Sequence, residues 1–98
     1  MGRKSSYLEQ IDKFIGRKIY FLRLAKGLSR AELSKVIDVT YQQLQKYENG
    51  TNRVSASRLL LIAKPLEHEI PYFYEGFEGS DNRTSRTAKK QLALNKSN

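Results

Sequence analysis

The chain has 98 residues and a formal net charge of +8 at pH 7, with 39% hydrophobic and 29% charged residues. This length predicts a single domain with a short tail, and the composition is typical of neither a disordered chain nor a membrane-spanning one. The chain has no cysteine, which excludes disulfides, zinc–thiolate sites and cysteine nucleophiles. The excess of Lys and Arg favours an anionic partner such as nucleic acid.

Five helical segments are predicted in the first 78 residues. The first runs from Ser6 to Ala25, where apolar residues recur every three or four positions, and Gly27 follows it as a C-terminal stop. Ser29 and Glu32 then form an S-x-x-E capping box, which predicts a second helix over residues 30–37. The positions expected to face inward from this second helix are Leu33, Val36 and Ile37.

The third helix is predicted over residues 41–48, between Thr40 as its N-cap and the stop at Asn49–Gly50. Gln43 completes a T-x-x-Q capping box with Thr40. Leu44 and Tyr47 lie on one side of this helix and are expected to point to the core.

Ser55 is expected to cap the fourth helix, and Pro65 is expected to bend it or end it early, because proline lacks the amide N–H. The residues expected to share its inward face are Leu59, Ile62, Ala63 and Leu66, with Leu60 and Leu61 adding to them. The last short helix begins at Pro71, a residue suited to a first helical turn. Residues 79–98 hold five basic residues and one acidic residue, which predicts a flexible basic tail after a domain of residues 1–78.

Five blocks of sequence, in this order and spacing, resemble the Cro and phage-repressor type of helix-turn-helix domain, also called the xenobiotic-response-element family. The blocks are IGRKIYFLR at 15–23, GLSRAELS at 27–34, VTYQQLQKYENG at 39–50, LLLIAKPL at 59–66 and YFYEG at 72–76. The middle block is similar to an alphaproteobacterial subgroup. The resemblance implies an all-α, compact five-helix repressor-like fold, although Asp38 and Glu67 replace glycines common in the family.

The family is an established example of major-groove docking, in which the second helix of the motif contacts base edges. In this chain that helix is residues 41–48, and opposite Leu44 and Tyr47 it presents glutamine and lysine, which pair with adenine and guanine edges. The residues expected to contact bases are Tyr41, Gln42, Gln43, Gln45 and Lys46. A polar surface that is merely solvated is the alternative for the same residues.

The resemblance also implies phosphate contacts by Arg30, at the start of the second helix, and by Arg53, after the third. Neutral donors to phosphate are expected at Thr40, Asn52 and Ser55. Arg23 and Glu48 stand where the family often pairs its first and third helices through an ion pair. We interpret that pair as structural.

The resulting hypothesis is a cytoplasmic, homodimeric transcriptional regulator, a repressor rather than an activator, that binds a partly palindromic operator in double-stranded DNA. The expected dimer surface is Tyr72, Phe73, Tyr74 and Phe77, although the same residues could instead close the core. No cofactor, metal site or enzymatic motif is predicted.

Two alternatives stay open. The chain could be an antitoxin whose tail binds a small protein partner, or a basic protein of the membrane surface. The second is favoured by the basic net charge and by Met1, Gly2 and Ser6, which fit a loose N-myristoylation pattern beside Arg3 and Lys4, and we rank it below DNA binding.

Overall fold

The computed structural model describes residues 6–78, which contain four α-helices and one 3₁₀ helix and no strand. The helices are α1 (Ser6–Ala25), α2 (Arg30–Val36), α3 (Tyr41–Asn49) and α4 (Ala56–Leu66), and the 3₁₀ helix is Ile70–Phe73. The all-α prediction is confirmed, with a 3₁₀ helix in place of a fifth α-helix. The predictions for Met1, Gly2 and the tail at 79–98, and so the domain boundary, lie outside the described residues.

Side-chain caps begin three of the helices, as their sequences indicate. The hydroxyl of Ser29 accepts a hydrogen bond from the Glu32 N–H at 3.0 Å, and the Glu32 carboxylate accepts one from the Ser29 N–H at 2.7 Å. Thr40 accepts from the Gln43 N–H, which is one half of the predicted T-x-x-Q box, and Ser55 accepts from the Arg58 N–H. Among the described helices the reciprocal box forms at α2 alone. Each cap satisfies a donor that the first turn of a helix leaves without a backbone partner.

The core forms around α1, which packs against α3, α4 and the 3₁₀ helix. Its fully buried side chains come from every element: Ile19, Leu33, Leu44, Ile62, Leu66 and Phe73. The prediction that Val36, Leu60 and Leu61 also face inward is wrong, because their side chains are 62%, 51% and 47% exposed. Each lies beside a buried residue in sequence but on the side of its helix that no other element of residues 6–78 buries.

The connections between the helices have the backbone conformations that tight turns need. Asp38, after α2, has φ 58°, and Glu67, after α4, has φ 59°, so both occupy the left-handed region where the family commonly has glycine. α4 continues through Pro65 and ends one residue later, at Leu66. The Arg58 guanidinium donates to the Ile37 carbonyl at 2.7 Å and so joins the start of α4 to the end of α2.

Candidate nucleic-acid interface

Helix α3 has two contrasting faces. Leu44, Tyr47 and Glu48 are buried beneath it. The opposite side carries exposed polar residues, which we call the base-contact face: Tyr41, Gln42, Gln45, Lys46 and Asn49. Of the five residues predicted to contact bases, the structure exposes four, and Gln43 is half-buried at the side with its N–H bonded to Thr40. Asn49 was not among the predicted residues but shares their exposed side, seven residues, or two helical turns, after Gln42.

Two glycines allow α3 to lie unusually close to α1. A Cβ atom added to Gly16 would be 2.2 Å from the Tyr47 carbonyl oxygen and 2.6 Å from that of Glu48. At the end of α3, Gly50 has φ 79° and lies against Lys13 of α1, where an added Cβ would be 2.6 Å from the Lys13 Cγ. The sequence indicated Gly50 as a helix stop, but the close contact at Gly16 was missed. The backbone of α3 is therefore held directly against that of α1.

A buried carboxylate fixes α3 relative to both preceding helices. The structure brings Arg23 and Glu48 together, as the resemblance implied, with the Arg23 Nε 2.7 Å and Nη2 3.2 Å from the two carboxylate oxygens. The side chains of Arg23 and Glu48 are 6% and 4% exposed. The remaining guanidinium nitrogen of Arg23, Nη1, donates to the Leu28 carbonyl at 2.9 Å. The same carboxylate also accepts from the Nε of Arg30 at 2.8 Å, a contact that no local sequence pattern indicates.

Arg30 in turn contacts the first residue of the base-contact face. Its Nη1 donates to the Tyr41 hydroxyl at 3.3 Å, and its guanidinium carbon lies 5.7 Å from the centre of the Tyr41 ring. The hydrogen bond to Glu48, and then the one to Tyr41, raise the pKa of Arg30 above its ordinary value. Arg30, expected only as a phosphate contact, is thus also placed to orient Tyr41.

The other predicted phosphate contacts surround the two ends of α3. Thr40 and Ser55 accept capping hydrogen bonds at their oxygens. The Thr40 hydroxyl keeps its hydrogen to donate, whereas the Ser55 hydroxyl also lies within hydrogen-bond distance of that of Ser57, at 3.3 Å. Asn52 is half-buried, and its N–H donates to the Lys46 carbonyl. Arg53 is 52% exposed at its side chain but lies 3.3 Å from both oxygens of buried Asp12, so a phosphate would share it with a carboxylate.

The aromatic segment expected to form a dimer surface is only partly at the surface. Including Phe73 in that surface is wrong, because its side chain is fully buried and belongs to the core. Tyr74 is 47% exposed, and Tyr72 is half-buried. Phe77 is also half-buried and packs edge-on against Phe14 of α1, with ring centres 5.4 Å apart.

In residues 6–78, no cluster of His, Asp and Glu side chains is arranged to hold a metal ion. No helix in the same range has the length and apolar content needed to cross a membrane.

Comparison with known proteins gives one family. The family model described as "Helix-turn-helix" matches residues 19–73. An uncharacterized HTH-type transcriptional regulator of Rickettsia conorii is 63% identical over 78 residues, which are 80% of this chain and 62% of that protein. An uncharacterized transcriptional regulator in the ATPase CF(0) region of Rhodospirillum rubrum is 42% identical over 76 residues, which are 78% of this chain and 70% of that protein.

A solved structure adds a three-dimensional comparison. The crystal structure of Bacillus thuringiensis PlcR in complex with the peptide PapR7 and DNA has a TM-score of 0.61 and 28% sequence identity. The match covers 84% of this chain and 29% of PlcR. The chain spans 62% and 60% of the length of two Rickettsia relatives, so those proteins contain further sequence.

Proposed function

The chain belongs to the helix-turn-helix family, as its sequence blocks predicted, and from that premise we propose that it is a sequence-specific DNA-binding transcriptional regulator of the cytoplasm. The base-contact face of α3 enters the major groove of the operator and contacts base edges. The chain acts as a repressor because, when bound to its operator, it prevents other proteins from binding the same stretch of DNA.

The observation that carries this proposal is the division of α3 into a locked face and an open face. Glu48 and Tyr47 hold one side of the helix against α1. The side chains of Gln42 and Lys46 are exposed on the other side and form no hydrogen bond or ion pair with residues 6–78. A glutamine amide can pair with both hydrogen-bonding groups of an adenine edge, and a lysine can donate to guanine. Rigid support behind exposed amides is the arrangement that base recognition requires, because the donors must already point correctly.

The operator is expected to be partly palindromic because one short helix contacts only a few base pairs. Two copies related by a twofold axis would double that number, with half-sites about 10 base pairs apart, centre to centre. The exposed ring of Tyr74 and the half-buried rings of Tyr72 and Phe77 lie together after α4 and supply apolar area for such a dimer. Analytical ultracentrifugation of the full chain, with and without operator, tests this part.

Selection of bound sequences from a random duplex pool, followed by Gln42→Ala, tests the proposal. The substitution should cost about 1–3 kcal/mol on the selected operator and much less on random duplex, because a base contact is lost and a backbone contact is not. Gln10→Ala, which removes a glutamine amide from α1 instead of α3, is the matched control. Equal losses on both duplexes would contradict the assignment of the face, and a selection without any enriched sequence would contradict the function.

A further inference from the structure

We propose that the cavity between α1 and the end of α3 binds a phosphate of the DNA backbone, a contact that adds to those implied by the family and that rests on the proposed function. The cavity has a volume of about 450 Å³. Its lining residues are Lys13, Arg17, Tyr20, Phe21, Glu48 and Asn49.

Four of the six residues that line this cavity carry hydrogen-bond donors. Lys13 and Arg17 are exposed, lie one turn apart on α1 and carry positive charge, and Tyr20 adds a phenolic hydroxyl. Asn49 uses its Oδ1 to accept from the Thr51 N–H at 2.8 Å, which leaves its amide nitrogen free to donate. The carboxylate of Glu48 is neutralised by its hydrogen bonds from Arg23 and Arg30. A ligand here must therefore accept hydrogen bonds and carry negative charge, as a phosphate does.

Ion pairs distinguish Lys13 and Arg17 from four arginine and lysine side chains elsewhere in the described residues. In residues 6–78, the side chains of Arg23, Arg30, Arg53 and Lys26 each have a carboxylate partner. Within the same range, Lys13 and Arg17 have none, and neither do Lys18, Lys35, Lys46, Arg58 and Lys64. Of these seven cations, only Lys13 and Arg17 line this cavity. A phosphate at this cavity would contact two positively charged side chains without disturbing an ion pair. A phosphate at Arg30 or Arg53 would instead compete with a buried carboxylate.

The cavity is also in the right place. Asn49 belongs to both the base-contact face and the cavity lining, so the cavity continues that face beyond the C-terminal end of α3. Lys13 is held there because its side chain lies against Gly50. The end of a helix carries about half a negative charge, which disfavours an anion, but two full positive charges outweigh it. When the bases meet α3, the sugar–phosphate backbone at the edge of the groove meets this cavity.

The double variant Lys13→Gln with Arg17→Gln tests the site on a random-sequence duplex, using the full chain. Both substitutions keep a polar side chain and remove the charge. The slope of log affinity against log salt concentration should become shallower by about 0.9 if one phosphate contact is lost. The matched control is Lys35→Gln with Lys64→Gln, which removes the same charge from exposed positions on α2 and α4 and should leave the slope close to that of the wild type.

Equal slopes for the two double variants would overturn the proposal, because the effect would then come from net charge alone. An unchanged slope in the α1 variant combined with lost binding to phosphatidylglycerol vesicles would also overturn it, since the anion would then be a lipid headgroup. Urea unfolding of each variant checks that the fold is kept, and the single variants replace the double one if it unfolds. The random duplex requires no operator, so this site can fail while operator selection succeeds, or succeed while selection fails.

Discussion

Replacing Glu48 by alanine should remove much of the stability of the domain. The Glu48 side chain is 4% exposed, and its carboxylate accepts three hydrogen bonds from two arginines. Arg30 is 25% exposed and can turn toward water when its partner is lost. Arg23 is 6% exposed at its side chain and enclosed between α1 and α3, so its charge would stay buried without a counterion.

The expected cost of Glu48→Ala is about 3–5 kcal/mol, the usual loss when one member of a buried ion pair is removed. An exposed pair would cost only about 0–1 kcal/mol. Small domains are stable by about 5–15 kcal/mol, so at the lower end of that range the variant would be close to unfolding at room temperature. Removing both charges, as in Arg23→Met with Glu48→Met, should recover most of the loss because no charge is then left buried.

Urea unfolding followed by circular dichroism measures these differences, at about 0.1 and 0.5 M salt. A buried pair is screened weakly, so the loss for Glu48→Ala should be nearly the same at both concentrations. The methionine variant, though stable, should bind the operator less tightly, because Arg30 no longer has Glu48 to hold it beside Tyr41. A loss below about 1 kcal/mol, or one that disappears at high salt, would refute the account of Glu48 as a buried support of α3.

Three further predictions concern the remaining contacts. Gly16→Ala should destabilise the fold by about 1–3 kcal/mol and weaken DNA binding, because the new methyl group meets the α3 backbone. The control is Gly27→Ala, whose methyl group meets open space, so that only the positive φ of residue 27 is strained. A Gly16→Ala variant that is more stable than the wild type in urea unfolding would contradict the close contact, because alanine is otherwise the better helix residue. Arg30→Ala should lower operator affinity by a larger factor than random-duplex affinity, because Tyr41 loses the side chain that orients it. Binding titrations in which both affinities fall by the same factor would indicate that Arg30 only contacts phosphate. Hydrogen bonds from the N-cap residue Ser29 lower the pKa of Glu32. The ionised carboxylate therefore contributes its full stability above about pH 4.3, and this contribution is lost as the pH falls through the lowered pKa. Glu32→Gln should make the loss of thermal stability at acid pH less steep, and an unchanged loss would show that the Glu32 carboxylate is not responsible.

The parts of the fold that could be predicted from sequence are those with local causes. Ser29 and Glu32 cap α2 because the partners lie three residues apart, and Gly50 ends α3 because few residues adopt its positive φ. The inward faces were harder to predict. Leu60 and Leu61 are apolar and follow a buried leucine, but which side of α4 is covered depends on elements far away in the chain.

The missed parts of the site arise from contacts between distant residues. Arg30 and Glu48 are 18 residues apart, and neither carries a local signal that it will meet the other. Gly16 offered a weak signal, since a glycine inside a long helix costs about 1 kcal/mol relative to alanine and therefore suggests a close neighbour. Phe73 resembles its aromatic neighbours in sequence, and only the tertiary packing separates it as a core residue.

The two-sided construction of α3 has a consequence for changing what the protein recognises. The side chains that hold the helix, Leu44, Tyr47 and Glu48, alternate along it with those that face outward. If these outward side chains contact bases as we propose, new amino acids at Gln42, Gln45 or Lys46 would change which bases are contacted while the supporting side chains stay in place. Such a surface can be randomised as a small combinatorial library on one unchanged scaffold, and each new specificity should fold as readily as the parent.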